Sequence, residues 1–102
     1  MQDDLDPRRE AERQDARKLN EREQRAAEIA EIAWLMDAAT GRKIVFAMLT
    51  QAGVFRSSFA GDPYTTAFNE GQRNIGLWLL SRVQNFTPAQ YAIMIEEQKN
   101  GR

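Results

Sequence analysis

Glu70 and Arg73 are the residues whose types and spacing come closest to a reactive pair in this sequence. They lie one helical turn apart in the segment YTTAFNEGQRNIGLWLL, residues 64–80, which also carries Gly71 and Gly76. A carboxylate beside a guanidinium could accept a proton while the cation steadies developing charge. The same spacing suits a local structural ion pair, which is the favoured reading, and Arg73 could also reach Asp37 or a neighbouring helix end. The rest of the chemical inventory is thin. The chain has no His and no Cys, which removes the commonest general base, thiolate chemistry, disulfides and the two commonest zinc ligands. Carboxylates alone could serve if they converged on a pocket. From residue 32 onward, however, the acids are only Asp37, Asp62, Glu70, Glu96 and Glu97, with no motif among them. The sequence therefore assigns no catalytic, cofactor-binding or metal-binding residue. The expectation is a protein that binds macromolecules and is not an enzyme.

Phosphate is the other chemistry to weigh. Arg42 and Lys43 follow Gly41 near an expected helix N-terminus and are candidates for a phosphate contact. With Arg56, Arg73 and Arg82 they make a sparse basic face, whereas nucleic-acid binding calls for a denser stripe with interleaved aromatics. Direct nucleic-acid binding is expected to be weak or absent, in keeping with a net charge of −1. Gly71 and Gly76 lack the spacing and the Lys-Ser/Thr ending of a phosphate loop. In a helix each costs about 1 kcal/mol relative to Ala, so both are expected to mark close helix packing, with a ligand resting on Gly71 as the alternative. Trp34, Trp78, Phe55 and Phe59 are expected to anchor a core or an interface. Asn69 and Asn74 suit either a subunit contact or plain surface.

The elements that must position these residues are helices. Residues 1–31 hold 10 acidic and 7 basic residues against 5 and 7 in the remainder, and after Pro7 they contain neither Gly nor Pro. Asp6-Pro7 reads as an N-cap and first helical position. Opposite charges then recur three or four apart at Arg8/Glu12, Glu10/Arg13, Asp15/Lys18, Arg17/Glu21 and Glu21/Arg25. Leu5 and Leu19 are the only large apolar residues before Ile29, too few for a coiled-coil seam. The stretch is either a fraying tail or a helix ordered on a partner. From Ala26 an apolar stripe forms at Ile29, Ile32, Ala33 and Met36, widened by Trp34 and Leu35. Asp37 is placed to cap a second helix with Ile44, Val45, Met48 and Leu49 on one face and Gly53 past its end. Residues 53–62 read as a loop carrying Phe55 and Phe59. Asp62-Pro63 opens a third helix to about Asn85, with Phe68, Ile75, Leu79 and Val83 as its stripe and Leu77, Trp78 and Leu80 broadening it. Thr87 and Gln90 make a capping box for the last helix, with Pro88 at its first position, a Phe86–Tyr91 staple, Tyr91, Met94 and Ile95 inward, and Gly101 at its end.

The expected fold is thus all-α: a charged helical arm over residues 1–28 and a core of about three helices over 29–102. No strand or repeat is visible, and no run of about 18 apolar residues could span a membrane. The opening MQDDLDPRRE is too acidic for a signal peptide. A helix-turn-helix is disfavoured because about ten residues separate helices two and three, against the usual three or four. A small helical regulatory or DNA-binding module stays open as the alternative.

Gly41-Arg42, Leu49, Gly53-Val54-Phe55, Ser58-Phe59 and the run Thr66-Ala67-Phe68-Asn69-Glu70-Gly71-Gln72-Arg73-Asn74-Ile75-Gly76-Leu77 resemble a family of short tailed-bacteriophage proteins. That family takes its name from a small protein of a Bordetella phage. The resemblance covers roughly residues 32–97 and leaves residues 1–30 without a counterpart. It implies a small accessory or structural protein of the virion or its head assembly, made in the host cytoplasm, with no cofactor. Its expected partners are further copies of itself and other phage structural proteins: the portal, the head–tail connector or an internal core that is ejected with the DNA.

Overall fold

Capping chemistry fixes the starts of two of the four helices among the described residues. In the computed structural model, which describes residues 6–100, Asp6 accepts the backbone N–H of Arg8 on its carboxylate at 2.9 Å and opens α1, Pro7–Asp37. α2 spans Ala39–Ala52, α3 Pro63–Phe86 and α4 Pro88–Asn100. Every regular element among the described residues is α-helical, so the protein is all-α. Asp62 caps α3 by accepting the Thr65 N–H at 2.8 Å ahead of Pro63, and this bond lowers its carboxyl pKa. Gly53 ends α2 in the left-handed region at φ 83°. Its N–H and that of Val54 return to Thr50 and Leu49, the paired bonds that tie off a helix end, and Val54 is buried behind them.

Two caps differ from the sequence expectation. Asp37 does not cap α2. The chain breaks at Ala38, which is extended and makes no side-chain cap. A Cβ on Gly41 would run into the carbonyl oxygen of Leu35, so the first turn of α2 lies against the last turn of α1 where only glycine fits. The Thr87 hydroxyl, rather than serving a capping box with Gln90, donates at 2.7 Å to the Val83 carbonyl. That carbonyl also accepts the Thr87 backbone N–H at 3.1 Å, so the bond serves the buried hydroxyl, which finds its own partner at the end of α3.

Contacts divide the chain into two units, between Glu31 and Ile32. In the first, residues Pro7 to Ala27 are all exposed helix. Of the expected charge pairs only Glu10–Arg13 closes, at 2.8 Å, while Arg17 reaches back to Glu10 at 3.7 Å. Leu5 and Gly101 lie outside the described residues.

In the second unit α2, α3 and α4 each pack on the other two. Met36, Val45, Leu49, Val54, Leu79, Val83 and Met94 form the core, with Ile32, Leu35, Phe46, Ala52, Leu77, Leu80, Tyr91 and Ile95 around it. The core-facing line of α3 is Gly76, Leu79 and Val83. Phe68, Ile75 and Trp78, expected on that line, are exposed, as are Ile44 and Met48 of α2. Gly76 decides the orientation of α3. A Cβ there would sit 2.5 Å from Ala52 Cβ and from Val54 Cγ1, so the helix rests directly on the end of α2.

Candidate interaction surfaces

The expected site residues do not converge. Glu70 and Gly71 are exposed, and a Cβ on Gly71 would meet nothing within 4 Å, so the close packing expected there is not made within the chain. The reason is its face: Gly71 lies about a third of a turn away from the line of Gly76, Leu79 and Val83 that meets the core. Arg73 is part-buried, pairs with neither Glu70 nor Asp37, and its Nε has no hydrogen-bond partner among the described residues. Asn69 donates to the Ser58 carbonyl at 3.2 Å, and Thr66 Oγ1 accepts the Ala60 N–H at 3.1 Å, which straps the loop before α3 onto its first turns.

Arg42 is engaged elsewhere than at a phosphate. Its Nε and Nη2 donate to both carboxylate oxygens of Glu97 at 2.8 and 3.0 Å. Its Nη1 donates to the Met36 and Asp37 carbonyls at 2.9 Å each. The side chain is only 11% exposed. One guanidinium therefore closes the end of α1, belongs to α2 and grips α4. The Glu97 hydrogen bond raises the Arg42 pKa, and the same bond lowers that of Glu97 against the opposing effect of burial. α1 is thus capped at its carbonyl end by Arg42. With Arg42 so used, Lys43, which is exposed, remains of the proposed phosphate pair. Sequence reasoning missed Glu97 because it lies 55 residues from Arg42, with no local signal joining them.

What the fold does gather is exposed apolar surface. Trp34 is 80% exposed and, with Leu35 and Ile44, borders an open groove of about 370 Å³. Phe55 stacks on Phe46, with ring centroids 5.5 Å apart, and Phe59 stands out from the loop. The largest array lies on α3, where Tyr64, Phe68, Ile75 and Trp78 are 88%, 65%, 72% and 54% exposed. The Arg82 guanidinium sits 4.2 Å from the centre of the Trp78 ring and extends that line. Tyr64 was not singled out from the sequence. The signal that could have found it is a spacing of four, three, four and three through Tyr64, Phe68, Gly71, Ile75 and Trp78.

Among the described residues no three potential ligands converge as a metal site, and no helix is long and apolar enough to cross a membrane. The sequence model of a protein family described as Bbp19-like phage protein matches residues 32–96, which lie within the second unit. No curated protein and no solved structure matches the chain.

Proposed function

The chain belongs to the Bbp19-like phage protein family, and from that premise we propose that it is a small structural or accessory component of the phage particle or of its assembly. It works by binding other macromolecules and not by catalysis. The observation that carries this reading is the imbalance of the second unit. Seven hydrophobic residues are buried in its core, while Trp34, Ile44, Met48, Phe55, Phe59, Tyr64, Phe68, Ile75, Trp78 and Ile93 stay exposed. Exposed apolar surface of this extent supports binding partners, since contiguous patches beyond a few hundred Å² mark interaction sites. The partners we propose are copies of itself and neighbouring structural proteins. Its place is at the portal or head–tail connector vertex, or inside the head as a protein ejected with the DNA. The alternative of a DNA-binding module is weakened by Arg42, whose guanidinium is spent on Glu97 and two carbonyls.

Mass spectrometry of purified virions, with quantification against the major capsid protein, tests the proposal. A fixed copy number per particle is expected. Absence from virions and from assembly intermediates alike would refute it.

A further inference from the structure

We propose that α3 pairs antiparallel with α3 of a second copy of the chain, along a seam of Tyr64, Phe68, Gly71, Ile75, Trp78 and Arg82. The inference rests on the proposed role as a self-associating component and names the surface through which two copies meet.

The period comes first. These residues follow one another at four, three, four, three and four positions, a mean of about 3.6, the repeat of the α-helix itself, so they form one straight line along α3. The line is distinct from the one α3 uses in its own core, where Gly76, Leu79 and Val83 are buried. α3 therefore carries two apolar faces and its own chain covers one. The rings of Tyr64, Phe68 and Trp78 with Ile75 leave roughly 400–600 Å² of apolar surface per copy, on the basis of about 150–250 Å² per aromatic side chain and the exposures above. Two copies thus bring together about 1,000 Å², the lower limit for a specific interface.

Charge and shape then point to a second copy as the occupant. The residues flanking the seam, Thr65, Ala67, Gln72, Asn74 and Ser81, are uncharged and mostly small, so like faces meet without repulsion and backbones can approach closely. In a parallel pair each residue would face its own copy, setting Trp78 against Trp78 and leaving Gly71 opposite Gly71. The antiparallel register, with its two-fold axis level with residue 73, avoids that Trp78–Trp78 clash and fills the gap at Gly71. Phe68 then faces Trp78 of the second copy, Tyr64 faces Arg82, and Ile75 enters the notch at Gly71, where nothing of its own chain lies within 4 Å of a Cβ. The same axis brings the Asn74 amides of the two copies side by side, where each can donate to the other.

Sedimentation equilibrium of the full chain and of Ile75→Glu tests the seam. Ile75 is exposed, so the variant should keep its circular dichroism while its self-association weakens at least 100-fold. Phe68→Glu should do the same. Register is read from nitroxide labels on single cysteines, which the parent chain lacks. Labels at Asn74→Cys should be close. Labels at Ala67→Cys should be far apart, because residue 67 faces residue 79 of the second copy and lies about 18 Å along the axis from its own counterpart at 1.5 Å per residue. Equal short distances at both positions would overturn the antiparallel pairing. A parent that stays monomeric at 100 µM, or a mass unchanged by both glutamates, would overturn the seam itself. The virion measurement is independent: a chain present in particles whose mass ignores Ile75→Glu keeps its role and loses the seam, and the converse result keeps the seam and loses the role.

Discussion

Replacing Gly76 with Ala adds one methyl group to α3 and sets two effects against each other. Helix propensity gains about 1 kcal/mol, since glycine is the more costly residue in a helix interior. Against that, the new Cβ would lie 2.5 Å from Ala52 Cβ and from Val54 Cγ1, where carbon atoms settle at about 3.5–4.0 Å. One of those neighbours is the Cβ of Ala52, which cannot rotate away. α3 must therefore retreat from the end of α2 by roughly 1 Å, an overpacking that costs about 1–3 kcal/mol. The net expectation is a loss of up to about 2 kcal/mol, which at roughly 4–8 °C per kcal/mol lowers the melting midpoint by up to about 8–16 °C. Gly71→Ala is the control within the same helix. It gains the same propensity with nothing within 4 Å to resist, so the isolated chain should be stabilised by about 0.5–1 kcal/mol. Urea and thermal denaturation followed by circular dichroism, at concentrations below self-association, measure both. A Gly76→Ala chain stabilised as much as Gly71→Ala would refute the close approach. A destabilised Gly71→Ala would show that Gly71 does pack within the monomer.

Glu97→Gln removes the charge that Arg42 grips at both oxygens and should lower stability at neutral pH without abolishing the helices. The folded pKa of Glu97 is depressed below its ordinary 4.5, as that of Asp62 is below 3.8, so each contributes stability that is present above those values and is lost as pH falls through the folded pKa. An acid-unfolding profile should therefore steepen below about pH 4.5 in the parent and flatten in the variant, and identical profiles would count against the pair. Removing residues 1–28 should leave the unfolding free energy of the remaining chain within about 0.5 kcal/mol of the parent, because no residue from Pro7 to Ala27 is buried. A shortened chain that no longer unfolds cooperatively would refute this.

The sequence by itself determined the helix ends at which a cap acts locally. Asp6-Pro7, Asp62-Pro63 and Gly53 act on backbone groups within a turn or so of themselves, and the helices start and stop beside them. It also determined the contrast between an exposed charged stretch and an apolar helical unit, since burial follows composition. The tertiary structure alone decided which face of α3 turns inward. From Phe68 to Val83 the helix is apolar around much of its circumference, so two stripes compete and periodicity cannot rank them. The choice falls to fit, because Gly76 permits contact with Ala52 and Val54 that a side chain would block. The same holds for Arg42 and Thr87. The sequence showed an arginine near a helix start and a threonine before a proline. Only the fold brings Glu97 and the α1 carbonyls to the first and the Val83 carbonyl to the second, because a polar group shielded from water must bond whatever partner the packing brings within reach.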